Sequence, residues 1–426
     1  APIGQDLAAL LLGLPTGGQF DLNAHRTVNA PYWAFFMQDD WRARRDLTLN
    51  LGIRLERDVP PTERWDRITN GFDYSAVNPI QARAAAAYDR APIPEIPAGQ
   101  FRTPGGLLFA NSGRRILFDT KPVYFSPRFG FAWSPQMLGG KTVLRGGVGV
   151  FLSSYGVPGP QQPGFSQETL LVPTLNGYLT PAATFANPFP NGFDQPPGSS
   201  LGLGTFLGRQ ARFFSPDLLN PYSARWNLSL QRQLSSSSVL EAGYIANRSV
   251  HLGVDREQNF LPGRYLSTSA SRDQGAIDRA TSNVTNPFEG LIPRTGLNGG
   301  LVQRQQLLRR FPQFTSVQED TINRGSSTFH MLAIRFEQRF TGGLTMLANY
   351  QWSKLIEWRS HLNPFQDFLE KRIASEDRPQ RLVLAANWDL PFGRGSKFLS
   401  GAHPVINHVI GGWVTNFIYT AQPGGP

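Results

Sequence analysis

Residues 35–56 read FFMQDDWRARRDLTLNLGIRLE. From Leu47 onward the apolar side chains fall on every second position: Leu47, Leu49, Leu51, Ile53 and Leu55. Thr48, Asn50, Gly52, Arg54 and Glu56 fill the places between. Successive side chains of a strand point to opposite faces, so this run is a strand with one apolar and one polar face. Two surroundings suit such a strand. One is a protein core with water outside; the other is lipid outside and a wet lumen inside.

The same alternation recurs along the chain. YFSPRFGFAWS at 124–134 sets Phe125, Phe129, Phe131 and Trp133 against Ser126, Arg128, Gly130 and Ser134, and TVLRGGVGVF at 142–151 follows after PQMLGGK. RWNLSLQRQL at 225–234 sets Trp226, Leu228, Leu230 and Leu234 against Asn227, Ser229, Gln231 and Gln233, then turns at SSSS (235–238) into VLEAGYIANR. In FHMLAIRFEQRFTGGLTMLANYQWS at 329–353, Thr341-Gly342-Gly343 is a three-residue hairpin loop with glycine available for positive φ. That loop length pairs Phe340 with Leu344, Phe336 with Ala348 and Ile334 with Tyr350, which puts the apolar sets of both strands on one face. RLVLAANWDL (381–390) and GWVTNFIYT (412–420) form a last pair.

The reading gives about ten strands in five hairpins, near 30–57, 123–152, 222–248, 327–354 and 380–420. The spacers at 58–122, 153–221, 249–326 and 355–379 are long and rich in Pro, Gly, Asn and Ser. Loops beyond about 12–15 residues are uncommon in compact domains. Strands of about ten residues, with short turns at one end and long loops at the other, describe an outer-membrane barrel. The expected fold is all-β: a partial antiparallel transmembrane β-barrel with long extracellular loops. An Arg or Lys on the lipid face at the bilayer midplane costs roughly 2–4 kcal/mol, and the lipid-side parity of 47–55 carries none. Asp39, Asp40, Arg42, Arg44, Arg45 and Asp46 are expected at a short turn in water, with Trp41 in the interfacial aromatic girdle. In the preceding strand Trp33, Phe35 and Met37 share one parity, while Tyr32 and Phe36 leave its facing open.

Composition narrows the function classes. The 426 residues contain no cysteine, which excludes disulfides, thiolate metal sites and a cysteine nucleophile. The net charge is +10, yet only five of the 41 basic side chains are lysine and none lies in a long basic run, so nucleic acid is not expected as a partner. No stretch approaches the ~20 apolar residues of a membrane helix; LAALLLGLP at 7–15 is too short. His25, His251, His330, His361, His403 and His408 show no zinc-type spacing. Asp39 and Asp40 are adjacent and point apart on a strand. There is no G-x-S-x-G and no Walker-type loop, and RGGVGVF at 145–151 is read as small residues on a strand face beside a plug or a crowded lumen. No catalytic, metal or cofactor site is therefore expected, and the chain is not read as an enzyme. Trp33, Trp41, Trp133, Trp226, Tyr350, Trp352, Trp388 and Trp413 are read as girdle anchors. Asn-Pro-Phe at 187–189 and 286–288 is left as a turn signal.

YWAFFMQDDWRARRDLTLNLGIRLE, FSPRFGFAWSP…KTVLRGGVGVF, NPYSARWNLSLQRQLSSSSVLEAGYIANRSVHL and FHMLAIRFEQRFTGGLTMLANYQWSK, in that order, resemble the Oar-like TonB-dependent receptors. DLAALLLGLPTGGQF at 6–20 resembles the lead-in to one of their barrel strands. The resemblance implies a 22-stranded barrel with an internal plug in the bacterial outer membrane, coupled to a periplasmic TonB-type complex. No plug, coupling box or N-terminal carboxypeptidase-regulatory-like domain is read in residues 1–426, which are expected to be an internal piece of the barrel with two unpaired edges. The expected partners are outer-membrane lipid, the TonB-type complex through the missing N-terminal part, and an unidentified substrate. Substrate contacts are expected in the long spacers and at lumen-facing Arg54, Arg128, Arg335 and Arg339, each of which alternatively serves in an arginine–carboxylate ladder. The competing functions are a surface adhesin or interaction barrel without transport, and a soluble all-β enzyme or sugar-binding protein of sandwich or propeller architecture, which would have short, even loops.

Overall fold

The computed structural model describes residues 5–154, 162–174, 180–293 and 295–426. Ten strands form one antiparallel meander in which each strand lies beside its neighbours in sequence. They are β1 (Tyr32–Arg44), β2 (Leu47–Asp58), β3 (Tyr124–Trp133), β4 (Thr142–Leu152), β5 (Tyr222–Ser235), β6 (Ser238–Glu257), β7 (Ser316–Phe340), β8 (Leu344–Trp358), β9 (Gln380–Asp389) and β10 (Val414–Ala421). Among the described residues β1 pairs only with β2 and β10 only with β9, so the sheet is open at both edges.

The register matches the period-two pattern. Phe340 pairs with Leu344, Phe336 with Ala348 and Ile334 with Tyr350, around a turn whose Gly342 and Gly343 have φ of 99° and 78°. A glycine meets no Cβ clash in that conformation. Leu51 pairs with Phe129 and Leu55 with Phe125; Leu228 pairs with Tyr244 and Tyr244 with Leu332. These rows make a continuous apolar face whose large side chains stand exposed. β1 joins it through Phe35 opposite Leu55 and Met37 opposite Ile53, which settles the facing of that strand.

Two expectations about strand ends need correction. The turn between β1 and β2 holds only residues 45 and 46, so Asp39 and Asp40 lie within the strand. Asp39 stands opposite Leu51 on the apolar parity and Asp40 opposite Asn50 on the polar one. The pair diverges, as adjacent strand residues must. β6 and β7 also run well past the expected ends at 248 and 327, because the start of β7 is captured by a strand from another spacer: Gln210–Phe214 pairs in parallel with Ser316–Asp320.

The spacers are not irregular loops. The first three pack together into a cap at the end of the sheet opposite the short turns, and most buried apolar side chains belong to it. One cluster joins Phe72 and Leu107 to Ala211 and Phe213 and to Phe311, Phe314 and Val317. A second joins Ile80, Ala84, Tyr88 and Phe101 to Phe288, Leu307 and Leu308. A third joins Ile68, Leu117 and Phe118 to Phe214 and Leu218. Irregular backbone beneath these rings is satisfied by buried amides, as buried polar groups require. Asn78 Nδ2 donates to the Gly105 and Leu203 carbonyls at 2.9 and 2.8 Å. Asn259 donates to the Phe311 and Phe314 carbonyls and accepts from the Phe311 amide. The backbone approach is close: a Cβ at Gly106 would lie 2.5 Å from the Leu203 carbonyl oxygen.

Phe336→Arg places a cation in the middle of the apolar face, between Leu240 and Ala348. In the membrane-inserted protein it is expected to destabilise the barrel by roughly 2–4 kcal/mol. Ala333→Arg, one parity away on the polar face, is expected to change stability by less than about 1 kcal/mol. Denaturant unfolding in lipid vesicles measures both.

Candidate functional site

The polar face of the meander is a wall of hydrogen-bonding side chains. Near its capped end Glu56, 6% exposed, accepts from Tyr32 Oη, from Ser126 Oγ at 2.8 Å and from Arg54 Nε at 3.2 Å. At the opposite end Glu337 holds Arg335 at 3.3 Å and Arg339 at 3.5 Å. Asn50 Nδ2 donates to Asp40 at 2.6 Å, and Arg145 to Gln231 at 2.7 Å. Three of the four arginines expected to meet substrate, Arg54, Arg335 and Arg339, thus belong to an arginine–carboxylate ladder.

Arg128 does not. In register it lies between Gly52 on β2 and Gly149 on β4, and Gly149 in turn pairs with Arg225 on β5. The ring of Phe151 folds back over Gly149, where a Cβ would come within 3.0 Å of it. Both guanidiniums rest against that ring, at 4.7 Å for Arg128 and 5.1 Å for Arg225. Among the described residues neither has a carboxylate partner. Together with Asn50, Gly130, Gly147 and Asn227 they line a depression of about 440 Å³. RGGVGVF thus forms a floor with little side chain, beside two cations held by one aromatic ring. The sequence reading missed Arg225, although its position two residues before Asn227 puts it on the same face.

A second basic site lies in the cap. Arg102, Arg256, Arg264, Arg309 and Arg310 line a cleft of about 650 Å³ against only Glu95 and Asp367. Arg256 pairs with Asp367 at 2.8 Å. Arg310 lies over the Tyr74 and Phe311 rings, and Arg309 Nη1 donates to the Thr315 carbonyl at 2.6 Å. Burial pulls the Arg309 guanidinium below its usual pKa, and the Glu257 carboxylate works against that. Burial together with the nearby Glu319 carboxylate, which accepts from its hydroxyl at 2.9 Å, pushes the Tyr74 phenol well up. Tyr74 is therefore a fixed hydrogen-bond donor at neutral pH. Two sets of arginines, one in the cap and one on the polar wall, make both surfaces suited to anions.

The remaining sequence motifs have structural roles. Asn286 of one Asn-Pro-Phe is buried, donates to the Leu297 and Gly299 carbonyls at 2.7 and 2.5 Å and accepts from the Phe288 amide; Phe288 is fully buried. In the other, Phe189 packs on Phe193 with ring centres 5.2 Å apart. A third copy at 363–365, which the sequence reading passed over, offers the Pro364 carbonyl to Arg256. His330 bonds Tyr244 Oη through Nδ1 at 2.6 Å. No group of three His, Asp or Glu able to hold a metal occurs among the described residues. Gln19–Leu22, at the end of the lead-in segment, pairs with Gln167–Leu170 of the second spacer.

A family model described as an outer membrane beta barrel domain matches residues 1–426. The chain belongs to that family. The exposed apolar face of this outer-membrane barrel domain is therefore its lipid face, and the polar wall faces the lumen. No curated protein matches its sequence. Among solved structures it is similar to the ferric-catecholate import receptor Fiu from K12 E. coli, with 9% identity and a TM-score of 0.34 over 86% of this chain and 33% of that one. For the FrpB iron transporter from Neisseria meningitidis (F3-3 variant) the values are 10% and 0.35, over 93% and 47%. For the alcaligin outer membrane receptor FauA from Bordetella pertussis they are 9% and 0.33, over 86% and 36%. The chain spans less than half the length of each.

Glu63 is a carboxylate of the first spacer that links cap stability to pH. Its side chain is fully buried, which by itself disfavours the charge. The Thr27, Trp65 and Arg67 amides donate to it at 2.8–2.9 Å and outweigh that cost, so its carboxyl sits below the usual range. A carboxyl depressed on folding contributes stability that is fully present above its unfolded pKa of about 4.3 and is lost as pH falls through the lower folded value. Glu63→Gln leaves one oxygen for three donors and is expected to cost about 1–3 kcal/mol at pH 7. It should also flatten the loss of cap stability between pH 5 and pH 3. Protease susceptibility of the cap across that range measures both effects.

Proposed function

We propose that residues 1–426 are the barrel portion of a longer TonB-dependent receptor, in which plug and coupling segments lie outside these residues. The cap faces the exterior, and an anionic solute passes from the cap cleft along the lumen wall. The observation that carries this reading is Arg128 and Arg225: two guanidiniums without a carboxylate partner among the described residues, fixed on one ring, in a wall where Arg54, Arg335 and Arg339 are held by Glu56 and Glu337. Cations left unpaired in a structural ladder are costly to keep, and they gain a partner when an anion arrives. The five arginines of the cap cleft supply the electrostatic attraction at the entrance. No constellation in the wall or the cap suggests chemistry on the solute.

The test uses the native host. Depletion of solutes from defined medium is followed by mass spectrometry in the parent strain, a deletion strain, and strains carrying Arg128→Gln with Arg225→Gln. The reading expects an anionic solute whose uptake needs the protein, falls on the order of ten-fold in the double variant, and stops when the inner-membrane proton gradient is dissipated. Unchanged depletion with lost surface attachment would replace transport with an adhesin role. Uptake that survives loss of the gradient would remove the energy coupling.

A further inference from the structure

The lipid face does not end in neutral side chains at its capped edge. On β6 the apolar set Leu240, Ala242 and Tyr244 is followed, on the same parity, by Ala246 and Arg248. On β8 it is followed by Lys354, Ile356 and Trp358. Arg248 lies four residues beyond Tyr244, which is about 10 Å further from the membrane centre for a strand tilted by ~40°. That distance carries it from the aromatic girdle into the headgroup layer.

Two cations converge there on one indole. The Arg248 guanidinium lies 5.2 Å and the Lys371 ammonium 5.7 Å from the Trp358 ring centre. Lys371 is carried there by Lys371–Ile373, a short strand paired to Ile356–Trp358. Arg248 is aimed by Thr328 Oγ1 at 2.6 Å and Ser326 Oγ at 3.3 Å. Among the described residues neither cation has a carboxylate partner. Lys354, nearer the girdle, is neutralised by Asp377 at 3.1 Å, and the Arg372–Glu357 pair of the same two strands lies on the opposite parity. The charge of Arg248 and Lys371 is thus left for something outside the protein, at the height of lipid phosphates.

We infer that Arg248 and Lys371, set about Trp358, form a binding site for the phosphate group of an outer-leaflet lipid. The tryptophan holds both cations by its ring face and presents its apolar edge to the acyl chains, while the cations clamp the phosphate oxygens. The site anchors the rotational setting of β6–β8 in the bilayer and ties the fourth spacer, which supplies Lys371, to the membrane surface. The inference rests on the orientation in which the cap faces outward.

The full-length parent protein is purified from its host outer membrane in mild detergent, and the bound lipid is identified by native mass spectrometry. The expected result is a phosphate-bearing outer-leaflet lipid retained by the wild type. Its retention should fall on the order of ten-fold in Arg248→Gln with Lys371→Gln, with the barrel still folded by its heat-modifiable migration. Arg145→Gln, on the lumen face, should retain the lipid as the wild type does. Equal retention in the double variant, or no phosphate lipid on the wild type, overturns the site. Recovery only of an inner-leaflet glycerophospholipid, lost in the double variant, would instead overturn the orientation of the cap.

Discussion

A strand offers its side chains alternately to two solvents, and in a membrane barrel those solvents are lipid and water. Everything else in this structure depends on keeping the two sets of residues apart. Backbone groups at membrane depth have no water to bond, so each strand must lie against neighbours that satisfy it. The meander does this eight times over between β2 and β9, with Leu51, Phe129, Leu228, Tyr244, Leu332 and Tyr350 on the lipid side of their strands. A shift of one residue in any pairing would exchange the two faces, and the tight turns at 45–46, 236–237 and 341–343 fix the register against it.

The lumen side shows how charge is managed once the faces are set. Glu56 holds Arg54 and accepts from two hydroxyls, and Glu337 is shared by Arg335 and Arg339, so these arginines are tied to carboxylates of the wall itself. Arg128 and Arg225 have no carboxylate partner among the described residues, and they sit together on one ring where glycines clear the surface. The cap repeats the contrast: Arg304 is bound to Glu95 at 3.1 Å, whereas Arg310 rests on the Tyr74 and Phe311 rings and has no carboxylate partner among the described residues. The distribution of carboxylate-paired and ring-held cations, more than their number, sets these two groups of arginines apart from the rest.

Much of the sheet was legible because its information is local. The order of ten strands, the register across Thr341–Gly343 and the lumen facing of Arg54, Arg128, Arg335 and Arg339 all follow from period two and turn chemistry. The cap was not legible. Its core joins Phe72, Phe213 and Phe311 from three spacers, with no period to announce it, and its backbone is held by single buried asparagines that read as loop residues. The outer parts of β6 and β7 were missed for a related reason. Ser316–Asp320 is ordered by a parallel partner more than a hundred residues away, and its own sequence does not alternate as lipid-facing strands do. Asp39 remains a departure from the pattern, one position in from Trp41 on the lipid parity of an edge strand; nothing in the structure explains it.

The most direct test of the two-solvent account is a spin-label scan of residues 331–340 on β7 in the full-length protein, reconstituted in lipid vesicles. Accessibility to oxygen, which concentrates in lipid, is compared with accessibility to an aqueous nickel reagent at each position. The account predicts oxygen maxima at 332, 334 and 336 and nickel maxima at 333, 335 and 337. Equal accessibility to the aqueous reagent at both parities, or the reverse alternation, would contradict it.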